Sequence, residues 1–155
     1  MGKQHHYKAT ITWTGNRGEG TKTYTGYDRS HEISINNKAD ISASSDAPFM
    51  GDTTKHNPED LLLASLSSCH MLWYLHLCSD NGIIVKNYVD HASGTMVQTG
   101  KGGHFEEVVL HPQVTVTDIG MIEKANSLHD EAHRCCFIAN SCNFLVRHEP
   151  VCNAE

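Results

Sequence analysis

Two groups of cysteines stand far apart in the chain, and both are placed where a thiol can do chemistry. Cys69 lies at the centre of a long apolar run, residues 61–78, and the adjacent Cys135 and Cys136 lie in the later segment AHRCCFIANSC. Reversible thiol oxidation proceeds through a sulfenic acid that a second thiol converts to a disulfide. A thiol in a core helix, with a distant thiol able to reach it, therefore indicates redox chemistry.

Composition restricts the classes of partner and compartment. The 155 residues suit a single domain, 1–155, and the formal net charge of -6 disfavours nucleic acid and anionic membranes as partners. The N-terminal MGKQHHYKAT lacks the apolar core of a secretory signal. We therefore expect a cytoplasmic protein, in which disulfides are transient and catalytic rather than a structural scaffold. The run 61–78 carries serines, histidines and a tyrosine, which predicts a core or dimer-interface helix and no membrane span.

The N-terminal part reads as strands and a loop. Residues 7–14 alternate apolar and polar side chains, which predicts a half-buried strand, and GNRGEG at 15–20 predicts a turn. Residues 21–27 and 31–36 are predicted to form two more strands. The polar stretch 38–57 predicts a long ordered loop, a kind of segment that is often functional.

A long helix is predicted from Pro58 to about Asp80. Asn57 can cap it, proline suits the first helical position, and the acids that follow suit the first turn. Asn81-Gly82 is a helix stop signal. The helix is apolar nearly all round, so we expect it inside the protein or in an interface.

The C-terminal part continues with strands and then helices. Residues 83–99 and 105–117 predict two long antiparallel strands, and a second helix is predicted from Asp118 to about Arg134. A short third helix near Phe137 and a strand followed by coil complete the chain. This order of elements predicts an α+β fold.

Three separated segments carry a family resemblance, namely WTGNRGEGT, NPEDLLLASLSSCH and AHRCCFIANS. In matching order and over most of the chain, they resemble the OsmC/Ohr family of thiol-dependent peroxidases. The resemblance implies an OsmC-like fold, with N-terminal antiparallel strands, a long buried central helix, a second strand pair and C-terminal helices. It also implies an intertwined homodimer with active sites at the dimer interface. The implied activity is hydroperoxide reduction by two cysteines, with organic peroxides preferred in the Ohr branch; the branch stays open.

The same resemblance implies roles for four residues. Cys69 matches the peroxidatic cysteine and Cys136 the second, resolving cysteine. Arg17 matches an arginine of the family's first turn, and Glu59 matches a glutamate at the start of the long helix. Phe137 stands where many members have proline after the second cysteine.

The charge of the reacting sulfur sets a physical requirement. A thiol in an apolar helix resists ionisation, so a cation is needed to stabilise the thiolate. Arg17 is the natural candidate, because it can also polarise the peroxide, and Glu59 can orient it through a bidentate pair. Glu59 and Cys69 lie about 15 Å apart along one straight helix. We therefore expect Glu59 to act from a folded-back helix start or from the partner subunit.

Several alternatives stay open. Cys135 can resolve in place of Cys136. A Cys-dependent hydrolase would need an orienting base and an oxyanion hole, and no such motif surrounds Cys69. A non-catalytic OsmC-fold binding or stress protein would keep the fold without the activity. His129 and His133 share a helix face and can bind a metal weakly, but no third and fourth ligand follow a convincing pattern. We therefore expect no cofactor and no metal.

The predicted partners follow from this chemistry. We expect a homodimer that acts on an organic hydroperoxide, belongs to the oxidative stress response and is reduced by a dithiol, such as a lipoyl protein. The remaining thiols are predicted to be inert: Cys78 and Cys142 as core packing, and Cys152 as an exposed tail thiol. His70 and His133 are either bases or core histidines.

Overall fold

A computed structural model describes residues 2–155 and divides them into two compact units. The first unit ends at Leu61, and the second is Leu62–Glu155. Strands and helices mix along the chain in the order that the sequence predicts for an α+β fold. The single-domain organisation over 1–155 stays a prediction.

The first unit contains a three-stranded antiparallel sheet. Its strands are β1 (Thr10–Trp13), β2 (His31–Ser34) and β3 (Ile41–Ala43), with β2 in the middle and Trp13 opposite His31. The strands predicted at 7–14 and 31–36 are present, although both are shorter than predicted. The prediction that the first of them is half-buried was wrong, because all four residues of β1 are exposed.

Two predictions for this unit were wrong. Residues 21–27 form turns rather than a strand, because Arg29 donates to the carbonyl oxygens of Tyr24 and Tyr27 and so draws them into the loop. Residues 38–57 are not all loop, since β3 and the 3-10 turn Ala47–Phe49 lie within them. A strand of three residues is too short for alternation to reveal it.

The long helix α1 (Pro58–Asp80) begins and ends where the sequence predicts. The Asn57 side-chain oxygen accepts from the backbone N–H of Asp60 at 2.7 Å, and the Asp60 carboxylate accepts from that of Asn57 at 3.2 Å. This reciprocal capping pairs two otherwise unsatisfied donors. The chain leaves the helix at Gly82, whose φ of 70° favours glycine.

The second unit contains two mixed sheets. Their strands are β4 (Val85–Asp90), β5 (Ser93–Thr99), β6 (Gly102–Leu110), β7 (Pro112–Val116), β8 (Leu145–His148) and β9 (Val151–Ala154). One sheet has the order β4-β7-β9 and the other β5-β6-β8. The outer pairs β4–β7 and β5–β6 are antiparallel, whereas β6–β8 and β7–β9 are parallel.

Each of the two long strands predicted here is broken once. The chain leaves strand geometry at residues 91–92 and at His111, so 83–99 and 105–117 become four strands. The Asp90 carboxylate accepts from the backbone N–H of His111 at 2.7 Å, and Pro112, which follows, has no N–H to donate. The C-terminal tail also forms two strands, β8 and β9, rather than a strand followed by coil.

The second helix, α2 (Ile122–Cys135), begins later than predicted. Asp118 is the expected cap, accepting from the backbone N–H of Gly120, but the first turn, Ile119–Met121, is 3-10 rather than α. The predicted third helix is a 3-10 turn at Ala139–Ser141.

Helix α1 is less completely covered than a fully buried helix. Its buried residues recur every three or four positions along one face, and they are Leu66, His70, Tyr74, Leu77 and Cys78. Leu72, away from that face, is 62% exposed. The helix is long and apolar enough to cross a membrane, but its buried face packs with the sheets and α2 as a core helix does. An open apolar face agrees with a dimer interface, and the homodimer stays a prediction.

Candidate redox site

Helix α1 and the end of α2 bring two thiols together. Cys69 lies near the middle of α1 and is half-buried, whereas Cys136 directly follows α2 and is 1% exposed. The two thiols lie close enough for Cys69 to affect the ionisation of Cys136, and both are free. An oxidised sulfur on Cys69 can therefore be reached by Cys136 in the folded chain.

The backbone after α2 fixes the Cys136 sulfur. The Cys136 N–H still donates to the carbonyl oxygen of His133 at 3.2 Å, while its ψ of 107° turns the chain away from the helix. In the turn that follows, the backbone N–H of Ala139 donates to Cys136 Sγ at 3.4 Å. Cys136 is thus held as the C-terminal cap of α2, one residue beyond Cys135, the last helical residue.

The two thiols differ in electrostatic environment. Burial raises the pKa of Cys136 to about 11, and the hydrogen bond with Cys69 adds to the increase, although donation from Ala139 opposes it. Cys136 is therefore protonated near neutral pH and can donate its S–H to the sulfur of Cys69.

The helix is pinned close to Cys69 by a contact that the sequence analysis missed. The Ser67 hydroxyl donates to one oxygen of Asp90, and the other oxygen accepts from His111 at the break between β6 and β7. Asp90 thereby connects the middle of α1 to the two strand breaks, at residues 91–92 and at His111. Asp90 gives no recognisable sequence signal, because its role depends on where the two predicted strands break.

Apolar surface lies beside the thiol pair. Trp73, one helical turn after Cys69, meets Phe137, the residue after Cys136, edge-to-face with ring centroids 5.6 Å apart. Trp73 also lines an open cavity of about 190 Å³ with Leu72 and His76. This surface suits a ligand with an organic group.

Arg17 lies in the first unit, in the turn between β1 and β2, and its partner is Asp28. Arg17 Nε donates to Asp28 Oδ2 at 3.0 Å, and Nη2 donates to Oδ1. Hydrogen bonding from Arg17 lowers the pKa of Asp28, and Asp28 raises that of Arg17. Within this chain the bidentate partner of Arg17 is therefore Asp28, and the expected pairing with Glu59 stays a prediction. Glu59 lies half-buried in the first turn of α1, and its supply by a partner subunit stays a prediction.

Asp28 is the residue that the sequence analysis missed. Its backbone N–H donates to the carbonyl oxygen of Gly15 at 2.9 Å, and its carbonyl oxygen accepts from Trp13 Nε1 at 2.8 Å. The register of β1 and β2, with Trp13 opposite His31, sets these neighbours. Knowledge of this register would have identified Asp28 as the partner of Arg17. The register cannot be inferred from the sequence when residues 21–27 are predicted to be a strand.

Two other groups that could in principle activate a thiol, Arg29 and His70, are engaged with different partners. The Arg29 guanidinium lies over the rings of Tyr24 and Tyr27, at 4.3 and 4.2 Å from their centroids. His70 is buried, and its Nε2 lies 2.9 Å from Nδ1 of His129. His70 is thus a core histidine.

His129 of α2 lies in the core beside His70 of α1. Burial lowers the pKa of His70 to about 4 and that of His129 to about 3, so both rings are neutral near pH 7. His129 also stacks on Tyr74, with centroids 3.9 Å apart. Across residues 2–155, no group of three or more His, Cys, Asp or Glu side chains is arranged to hold a metal.

The other cysteines lie away from this chemistry. Cys78 is buried in the core, as predicted, and burial raises its pKa. Cys152 was predicted to be exposed, which was wrong, because β9 pairs with β7 and buries it. Burial raises the pKa of Cys142 and Cys152 as well, so none of the three is suited to form a thiolate at neutral pH.

Comparison with known proteins agrees with this fold. Residues 51–149 match the family described as OsmC-like protein. An OsmC-like protein of unknown function from Vibrio cholerae O1 biovar eltor is 30% identical, with a TM-score of 0.85 over 96% of this chain and 100% of that one. No curated protein sequence matches the chain significantly.

Two more distant structures share the fold. An organic hydroperoxide resistance protein from Elizabethkingia anophelis has a TM-score of 0.72 at 19% identity, with both chains fully covered. The organic hydroperoxide resistance protein OhrB of Bacillus subtilis has a TM-score of 0.63 at 19% identity, over 95% of this chain and 98% of that one. From the family match and the Vibrio cholerae relative, this chain belongs to the OsmC-like protein family.

Proposed function

We propose that this protein is a cytoplasmic, homodimeric two-cysteine peroxidase that reduces organic hydroperoxides. The observation that carries the proposal is the contact between Cys69, in the middle of α1, and Cys136, at the end of α2. The names of the fold neighbours from Elizabethkingia anophelis and Bacillus subtilis, both organic hydroperoxide resistance proteins, agree with it.

The two thiols take different roles because their environments differ. Cys69 is the peroxidatic cysteine, since it is half-buried and accessible to a peroxide, whereas Cys136 is buried and protonated. The nucleophile in thiol chemistry is the thiolate. Cys136 acts in the second step, when its sulfur attacks the oxidised Cys69.

The reaction balances with no cofactor. The Cys69 thiolate attacks the distal oxygen of the hydroperoxide, an S–O bond forms, the O–O bond breaks, and the alkoxide takes a proton to leave as an alcohol. Cys69 is then a sulfenic acid. Cys136 gives up its thiol proton and attacks the Cys69 sulfur, so that the S–S bond forms and the S–O bond breaks. The hydroxyl group leaves as water, taking up the proton that Cys136 has lost.

A positive charge must stabilise the Cys69 thiolate. In the proposal Arg17, from the same chain or from its partner, supplies this charge and polarises the peroxide. Glu59 of one subunit contributes to the same site in the dimer. An opposite charge near a thiol favours the thiolate, which is the reactive form.

The disulfide must be reduced for a second turnover. A dithiol does this by thiol–disulfide exchange through a mixed disulfide. The apolar surface formed by Leu72, Trp73 and Phe137 favours an organic dithiol, such as a lipoyl group, and the organic part of the peroxide. The proposed reductant is therefore a lipoyl protein or a similar dithiol.

A turnover assay tests the proposal. The purified protein is mixed with cumene hydroperoxide or hydrogen peroxide, with dihydrolipoamide, dithiothreitol or glutathione as donor. We expect cumene hydroperoxide to be consumed faster than hydrogen peroxide, and the dithiols to support turnover better than the monothiol glutathione. A Cys142→Ser variant, which lacks a thiol outside the pair, should behave like the parent.

If no peroxide is consumed and all thiols persist, the proposal is wrong. That result would favour either a non-catalytic binding protein of the same fold or a Cys-dependent hydrolase. Esterase assays would then distinguish these two alternatives.

A further inference from the structure

The side-on pairing of Arg17 and Asp28 leaves the arginine able to bind a second anion. The Asp28 carboxylate takes the Nε–H and one Nη2–H of the guanidinium. A guanidinium has five N–H donors in a fixed plane. The donors at its outer end therefore remain available, while the carboxylate fixes the plane in which they lie.

Asp28 is itself firmly placed. Its backbone bonds to Gly15 and to the Trp13 indole close the base of the loop that carries Arg17. The approach to Gly15 is so close that a Cβ at that position would lie 1.9 Å from the Asp28 carbonyl oxygen. Just beyond, the backbone N–H of Thr14 donates to the carbonyl oxygen of Ser30 at 2.9 Å. The carboxylate thus projects from a fixed point of the loop.

The other cations of this loop are engaged with different partners. Arg29 is held between the rings of Tyr24 and Tyr27. Lys22 pairs with Glu19 at 2.9 Å. Arg17 is therefore the cation of this loop that pairs with Asp28. The nearby charges of Lys55 and Arg29 also help to keep the Asp28 carboxylate ionised.

From this geometry we infer that Asp28 is the positioning residue for Arg17: it holds the guanidinium side-on and leaves the outer donors free for the anion that Arg17 stabilises in the proposed reaction. The inference rests on the proposed function, because it assigns Arg17 to that reaction. It gives Asp28 the orienting role that the sequence analysis gave to Glu59. Asp28 itself touches neither sulfur nor peroxide in this account.

Four variants test the inference: Asp28→Asn, Asp28→Glu, Arg17→Met and the double variant Asp28→Asn/Arg17→Met. The readout is the rate of Cys69 alkylation against pH, followed on the Cys69 peptide by mass spectrometry. We expect Asp28→Asn to slow alkylation at pH 7 by about tenfold and to move the profile to higher pH, because a misdirected cation stabilises the thiolate less. Asp28→Glu keeps the charge and should recover part of the rate.

The double variant separates positioning from general structural damage. If Asp28 acts only through Arg17, the double variant should alkylate no more slowly than Arg17→Met alone. Glu19→Gln is the matched control, because it breaks an exposed ion pair in the same loop without touching Arg17, and its profile should overlay that of the parent. Because the Arg17–Asp28 pair is also exposed, we expect the Asp28 variants to melt at the same temperature as the parent.

Two results would overturn the inference: an Asp28→Asn profile that overlays the parent, or losses in the double variant that add. Either can occur while the protein still consumes peroxide. Conversely, failure to consume cumene hydroperoxide would reject the proposed function, and the alkylation series would still decide the role of Asp28.

Discussion

Cys69 and His70 are consecutive residues of α1, yet they belong to different kinds of environment. Cys69 is half-buried and meets the thiol of Cys136, whereas His70 is 1% exposed and meets the ring of His129 at 2.9 Å. Successive residues of an α-helix point about 100° apart. The contact of α1 with α2 and its C-terminal cap therefore contains two pairs. One is a thiol pair in which Cys69 is partly exposed, and the other is an imidazole pair that is fully buried.

The difference shows how burial separates reactive groups from structural ones. The imidazole pair is neutral and hydrogen-bonded, and it is packed against Tyr74, so it acts as part of the core. The thiol pair keeps one partner protonated and leaves the other open to a peroxide. Changes at the first pair should affect stability, and changes at the second should affect reactivity.

The largest effect is expected for Cys69→Ser. Serine is close in size to cysteine but forms no sulfenic acid, so peroxide consumption should be abolished. The melting temperature should change little, because Cys69 is only half-buried. Peroxide consumption and thermal unfolding measured on the same samples check this, and undiminished consumption would show that the reactive thiol lies elsewhere.

Cys136→Ser should stop the reaction after its first step. Cys69 can still reduce one equivalent of peroxide, but without a resolving thiol it remains a sulfenic acid or is oxidised further. Mass spectrometry of the Cys69 peptide detects these products. Cys135→Ser is the matched comparison, and if it shows this behaviour while Cys136→Ser turns over normally, the resolving cysteine is Cys135.

On the other side of the comparison, His129→Ala should cost stability. It removes a buried ring that stacks on Tyr74, and it leaves His70 Nε2 without its partner, for a loss of about 2–4 kcal/mol in the free energy of unfolding. Urea unfolding measures the loss. His76→Ala, at an exposed position of α1, is the control and should stay within about 0.5 kcal/mol of the parent. If folded His129→Ala protein lost its peroxide reactivity as completely as Cys69→Ser, the imidazole pair would not be purely structural, and the contrast with the thiol pair would be contradicted.

A further effect on this side of the comparison is a fall in stability with acid. His70 and His129 have their pKa lowered by burial to about 4 and about 3, so the unfolded chain binds protons below about pH 6.5 that the folded chain does not. Stability is therefore full above pH 6.5 and decreases as the pH falls towards 4, by at most ~1.4 kcal/mol per pH unit for each ring. Urea unfolding between pH 7 and pH 5, where most carboxylates stay ionised, checks this. A flat profile there would mean that these rings titrate normally.

Local signals made much of the fold predictable. The start of α1 depends on Asn57 and the residues next to it, and its end depends on Gly82, so the sequence alone predicts both ends correctly. The pairing of Cys69 with Cys136 came instead from matched family motifs, since no local pattern shows that the end of α2 reaches the middle of α1.

What escaped prediction depends on contacts between distant residues. Asp28 pairs with Arg17 only because the register of β1 and β2 closes the loop between them. The break at His111 depends on the carboxylate of Asp90, which is contributed by another strand. Neither pairing can be read from spacing along the chain, because the turns that create them do not follow a repeating pattern.

The most direct test of the account is to map the disulfide formed by one equivalent of cumene hydroperoxide. The reduced protein is treated, its free thiols are blocked and counted, and the linked peptides are identified by mass spectrometry without reduction. The account predicts that two of the six thiols disappear from each chain and that the Cys69 and Cys136 peptides are joined. Six thiols remaining after treatment, or a disulfide from Cys69 to Cys78 or Cys142, would contradict it.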